Sequence, residues 1–212
     1  MKPLSDCRLY AFVDRAYLRG RAPEVVAQQL CDSGADLIQL RAKHSSQDET
    51  RRMAGAILPI ARRANVGLVI NDHLSLAQEV GADFCHLGQE DFLNAGRTHR
   101  SEVRSQNSEV GIGLSTHAPE QATRALAAGP DYIAIGPVYA TGTKPTAKPV
   151  TLEYVRWAAA NVNIPWFAIG GITLGNLDEV LAAGAQGICV VSAILNADDV
   201  AKTCGEFRRR LG

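Results

Sequence analysis

The sequence predicts a single (β/α)8 barrel spanning residues 1–212, and three observations carry that expectation. One phrase occurs four times: glycine, a small residue, an acid or amide, then an apolar run. The copies start at Gly34, Gly81, Gly129 and Gly184, and the first reads Gly-Ala-Asp-Leu-Ile-Gln-Leu-Arg. Each glycine has the character of a left-handed stop after a helix, and each run that of a short buried strand. The second observation is spacing. The four glycines lie 47, 48 and 55 residues apart, and one βα unit needs only about half of that. A further strand therefore falls between each pair, and the copies become strands two, four, six and eight. Third, most of the strands are continuous apolar runs rather than alternations, the pattern of a parallel sheet covered on both faces.

The elements follow in order. Arg8–Asp14 is the first strand, and Ala22–Ser33 reads as a helix from the spacing of Val25, Val26 and Leu30. Leu37–Arg41 is the second strand, followed by a longer helix over Gln47–Ala64. Gly67–Asn71 precedes a helix at Leu74–Val80, and Phe84–Leu87 precedes a polar stretch without strong periodicity to about Ser108. Val110–Leu114 is the fifth strand, with its helix at Pro119–Ala128. Tyr132–Ile135 leads into a loop holding Pro137, Gly142, Pro145 and Pro149, then a helix at Leu152–Asn161. Trp166–Ile169 with a helix at Asn176–Ala183, then Ile188–Val191 with an amphipathic helix at Asp198–Leu211, complete the alternation.

Composition narrows the class. Apolar residues make up 46% of the 212, enough for a sizeable core and against disorder. Twenty-two basic residues balance 22 acidic ones, which argues against nucleic acid or an anionic membrane as partner, since both need a basic face. A local cationic pocket for phosphate stays open. No charged-then-apolar signal segment opens the sequence, and no run approaches the ~20 apolar residues of a membrane span. The five cysteines form no Cys-x-x-Cys pair and read as small core hydrophobes of a reducing compartment. The expectation is a soluble, cytoplasmic protein.

In such barrels, chemistry gathers at the C-terminal ends of the strands. The second strand ends Gln39-Leu40-Arg41-Ala42-Lys43; alternation turns Gln39, Arg41 and Lys43 to one side, an amide and two cations suited to phosphate. The alternative is a solvated basic loop. The third strand ends Asn71-Asp72 and the fourth runs from His86 to Asp91. Asp72 and Asp91 could face one Mg²⁺, which takes one or two carboxylates plus waters and phosphates. Locally, Asp72 could instead cap the next helix and Asp91 belong to a turn. His86 reads as a hydrogen-bonding residue, because no Cys/His constellation accompanies it. Ser115 at the end of the fifth strand could donate to a phosphate, cap the following helix, or both. No elbow of the Gly-x-Ser-x-Gly kind makes it a nucleophile.

The loop after the sixth strand carries Thr141, Gly142, Thr143 and Lys144, suited to anion recognition but not spaced as a Walker loop. Gly170 and Gly171 end the seventh strand and Val191-Ser192 the eighth. Backbone N–H groups at these two ends make a recurrent phosphate seat in barrels. The residues thus ask for a diphosphate with a metal at one pole and a monophosphate at the other.

Seven segments resemble the thiamine-phosphate synthase family: Gln39–Lys43, Ile70–Asp72, His86–Asp91, Gly113–His117, Gly136–Lys144, Ala168–Ile172 and Val191-Ser192, in the family's order. The resemblance implies joining 4-amino-2-methyl-5-(diphosphooxymethyl)pyrimidine to a thiazole phosphate, releasing diphosphate, with Mg²⁺. Carried over, Gln39 to Lys43 (Leu40 and Ala42 included), Asn71, Ser115 and Lys144 hold the pyrimidine diphosphate. Arg41, Lys43, Ser115 and Lys144 among them act on the departing group. Asp72 and Asp91 bind Mg²⁺, and Thr141 to Thr143, Gly171, Val191 and Ser192 hold the thiazole phosphate. The family also implies a dissociative route in which diphosphate leaves before the thiazole nitrogen attacks. Ala42 departs from the family's frequent glutamate, Phe12-Val-Asp14 from its Val-Thr-Asp, and His73 from its arginine. The rivals are a thiazole tautomerase, which generally lacks the aspartates and the Thr-x-Thr-Lys loop, a generic phosphate-binding isomerase, and a silent paralogue that binds thiamine precursors as a sensor.

Overall fold

The computed structural model of the chain describes residues 1–96, 99, 110–142 and 148–212. Eight parallel strands close into one barrel, each bonded to its neighbours in sequence and the last to the first. They are β1 (Leu9–Asp14), β2 (Leu37–Arg41), β3 (Gly67–Asn71), β4 (Phe84–Gly88), β5 (Gly111–Thr116), β6 (Tyr132–Ile135), β7 (Trp166–Ile169) and β8 (Ile188–Val190). Around them lie α1 (Pro23–Asp32), α2 (Gln47–Arg63), α3 (Leu74–Val80), α4 (Gln89–Asn94), α5 (Pro119–Ala127), α6 (Thr151–Asn161), α7 (Leu177–Ala182), α8 (Ser192–Leu195) and α9 (Val200–Leu211). The (β/α)8 expectation holds. Among the described residues no helix is long and apolar enough to cross a membrane.

The fourfold phrase folds as its residues dictate. All four leading glycines have positive φ, between 67° and 102°, which releases the chain from its helix into the next strand at no steric cost. The acid has a use that the pattern alone did not reveal. Asp36 Oδ2 accepts the N–H groups of Arg8 and Leu9 at 2.7 and 2.9 Å. Asp83 Oδ2 accepts from Leu68 N and Asp131 Oδ2 from Ile112 N, both at 2.8 Å. Each acid thus clips the start of an even strand to the start of the odd strand before it. These bonds satisfy donors at the strand N-termini that no ladder reaches.

Elsewhere local chemistry sets the ends. Ser46 and Glu49 form a reciprocal capping box at the start of α2. Inside the barrel Tyr10, Tyr132 and Phe167 meet edge to face, with centroids 5.4 to 5.9 Å apart. All five cysteines are free and buried. Burial, aided by Asp36, pushes the Cys7 thiol up to about 11, and burial likewise lifts Cys31 to about 11.

The structure corrects some boundaries. The polar stretch after the fourth strand opens with α4, six residues and therefore under two turns, too short to show a period. β5 runs two residues past Leu114, so Ser115 lies within the strand. Short 3-10 turns at Leu4–Asp6 and Arg15–Tyr17, and the four-residue α8, carry no periodic signal either.

Candidate active site

The C-terminal ends of the strands surround one cleft of about 1110 Å³, the space open to solvent included. Gln39, Arg41 and Lys43 all line it, as alternation along β2 requires. Leu40 and Ala42, of opposite parity or just beyond the strand, are buried and stay out of the lining. Asn71, Asp72, Asp91 and Ser115 line the same end of the cleft, and Thr141, Gly171, Val191 and Ser192 the other. Gly142 is exposed and does not line it. Thr143 and Lys144 lie outside the described residues.

Asp72 sits with φ of 65°, a left-handed conformation unusual for a non-glycine residue. Its N–H continues the ladder to the carbonyl of His86 at 2.9 Å, and His73 N–H folds back to the carbonyl of Asn71 at 2.9 Å. The Asn71 amide donates to Asp72 Oδ2 at 2.6 Å. Asp72 does not cap α3: the N-cap there is His73, with no side-chain bond. Asp91 lies in the first turn of α4, its carboxylate over Gly88, where a β-carbon would come within 2.7 Å of Oδ2. Ser115 is not a helix cap either; Ala118 occupies that place at α5.

Arg41 is held by Asp14, at 2.6 Å between Nη1 and Oδ2. Below it a buried chain of polar groups crosses the barrel. Gln39 Nε2 donates to the Tyr10 hydroxyl at 2.5 Å, Tyr10 and Tyr132 hydroxyls lie 3.0 Å apart, and His86 Nδ1 is 3.1 Å from Tyr132. Burial, first of all, raises both tyrosines well above their ordinary range, so they remain neutral hydroxyls. Room for this chain comes from Gly113, whose β-carbon would stand 2.0 Å from Tyr132 Cζ. His86 thus is a hydrogen-bonding residue, as expected, and also lines the cleft.

At the opposite pole the backbone dominates. Gly171 has φ of 65°, and a β-carbon there would lie 2.6 Å from the carbonyl of Ala140, so only glycine suits the position. Val138 and Tyr139 N–H groups donate to the carbonyls of Ile169 and Gly170 at 2.9 and 3.0 Å, stitching the loop after β6 to the end of β7. Between the poles the lining is mostly apolar: Phe12, Ile169, Ile172 and Cys189. Ile169, Ile172 and His117 fall within the strand-end segments, whereas Tyr10, Phe12 and Cys189 are cleft residues that those segments do not include. Parity offered the signal, since Tyr10 and Phe12 stand four and two residues before Asp14 on the same face.

Comparison with known proteins gives a consistent result. Residues 9–194 match the family described as thiamine monophosphate synthase. A thiamine-phosphate synthase of Thermus thermophilus is 47% identical over 179 residues, covering 84% of each chain. One from Halalkalibacterium halodurans is 39% identical over 206 residues, covering 96% of this chain and 95% of its own. Among solved structures, thiamine phosphate pyrophosphorylase from Pyrococcus furiosus superposes with a TM-score of 0.83 at 28% identity, over 99% of this chain and 98% of that one.

Proposed function

The chain belongs to the thiamine monophosphate synthase family, a transferase of thiamine biosynthesis, and from that premise we propose how its cleft performs the transfer. The substrates are 4-amino-2-methyl-5-(diphosphooxymethyl)pyrimidine and a thiazole phosphate; the products are thiamine phosphate and diphosphate. The observation that supports this best is the gathering of two chemically different anion poles around one apolar cleft.

The diphosphate end suits Mg²⁺. Asp72 and Asp91 bring hard oxygen donors from adjoining strand ends to the same wall. Among the described residues no three His, Cys, Asp or Glu groups come together as a complete metal cage. Two carboxylates leave the rest of a magnesium shell to water and substrate phosphate, which is how this ion is usually held. Charge points the same way. Arg41 and Lys43 bring two positive charges, against three negative ones from Asp14, Asp72 and Asp91. A diphosphate arriving there needs added cationic charge. Mg²⁺ held by Asp72 and Asp91 would supply it and favour departure of the diphosphate.

The chain's own groups do the rest. Arg41 and Lys43 meet the charge that grows on the leaving diphosphate, with Ser115 as a neutral donor and Lys144 expected beside them. The apolar lining around Phe12, Ile169 and Cys189 keeps water from the cationic pyrimidine carbon until the thiazole nitrogen reaches it. Gly171, Val191 and Ser192 seat the thiazole phosphate by main-chain N–H groups, with Thr141 at the edge.

The test mixes purified protein, Mg²⁺ and both phosphorylated precursors, and follows diphosphate and thiamine phosphate together. Equal release of the two is the expected result. Tight precursor binding without turnover would make the protein a sensor instead.

A further inference from the structure

We propose that Asp14, at the end of β1, is a positioning residue that orients the Arg41 guanidinium toward the departing diphosphate; this rests on the function proposed above. The barrel register sets Asp14 directly beside Arg41. The carboxylate is 1% exposed and uses both oxygens. Oδ1 accepts the N–H of Ala16 at 3.0 Å, fixing the group to the turn that follows β1. Oδ2 takes Arg41 Nη1 at 2.6 Å. Because one oxygen is anchored to the backbone, the other has little room to swing, and the Nη1 corner of the guanidinium is held with it. Arginine's donors lie in a rigid fork, so holding one corner restricts the directions open to the remainder.

Lys43 makes the contrast. Two residues further on it lines the same cleft, is exposed, and has no ion pair among the described residues. It contributes a movable point charge, whereas Arg41 contributes a held one. Asp14 itself is absent from the cleft lining. A buried carboxylate is costly unless compensated, and here the compensation is the arginine that the reaction uses.

Steady-state kinetics on Asp14→Ala, Asp14→Asn, Arg41→Ala and the Asp14→Ala/Arg41→Ala double variant test this. Asp14→Ala should lower kcat about 10- to 100-fold, the scale of a misplaced reacting group, while KM for the thiazole phosphate stays within about twofold. Asp14→Asn should lose less, since its one amide oxygen can still accept from Arg41 while the bond from Ala16 N–H is given up. In the Arg41→Ala background, removing Asp14 should cost nothing further. Independent, multiplying losses, or an equal rise in both KM values, would overturn the proposal. Calorimetric titration of Asp14→Asn with Mg²⁺ and inorganic diphosphate covers failure of the alanine variant to fold. About threefold weaker binding of diphosphate is expected, because the guanidinium loses its ion-pair partner and keeps only a bond to a neutral amide oxygen, with inorganic phosphate unaffected; unchanged diphosphate affinity overturns the role. The titration also separates this inference from the reaction, because it needs no turnover by the wild-type protein.

Discussion

Asp72 combines a left-handed backbone, an amide neighbour pointing at its carboxylate and an exposed place on the cleft wall. Strain of about 1–3 kcal/mol at such a residue persists only where its surroundings hold it. Asp72→Ala keeps the backbone problem and removes the oxygens. Turnover with Mg²⁺ should fall by at least about 100-fold, on the scale of losing one charge-stabilising group, while affinity for the thiazole phosphate stays near wild type. Equal loss of both, measured by kinetics and by calorimetry, would make Asp72 a structural residue. At this scale the sequence was informative where side-chain type and strand end coincide, as at Arg41, Asp72 and Ser115. Asp14 and Tyr10 escaped it because their roles depend on a partner 27 and 122 residues away, Arg41 and Tyr132 respectively, and no local pattern encodes such a distance.

The aspartates of the repeated phrase act on elements rather than on chemistry. Asp83 lies at the start of β4 and holds Leu68 of β3, at the end of the barrel away from the cleft. Removing an acceptor from a partly buried N–H costs about 1–3 kcal/mol. Asp83→Ala should therefore lower unfolding free energy in urea by that order and leave kcat unchanged. A loss of kcat with stability intact would show that the two ends of the strand are coupled. The repeat made the eight strands legible because glycine stops and apolar runs are local signals. It left α4 and α8 unseen, since elements of six and four residues show too little of a helical period.

For the whole molecule, the buried thiols and phenols set a limit at alkaline pH. Burial lifts Cys7 and Cys31 to about 11 and Cys204 and Tyr154 to about 12, and Tyr10, Tyr132 and Cys189 rise well above their ordinary values. The unfolded chain releases these protons from about pH 9 upward, while the folded one keeps them. The unfolded state then binds fewer protons, so stability is full below about pH 9 and falls as pH climbs through 11. A melting temperature that is level through neutral pH and drops steadily above about 9 is the expected record. A level trace to pH 11 would contradict it.

The fourth copy of the phrase carries Gln186 where the other three have an acid. Among the described residues its side chain ties nothing to β7, so the pair β7 and β8 lacks the clip that joins each earlier pair. β8 is also only three residues long. Just above this seam lie Gly171 and Ser192, the two turns offered to the thiazole phosphate. A phosphate held by both turns would add at the mouth a second tie between two strands that are joined at the base by backbone bonds alone. The ligand would then be the missing fourth fastener of the barrel, and the wall would be firmest when the cleft is filled.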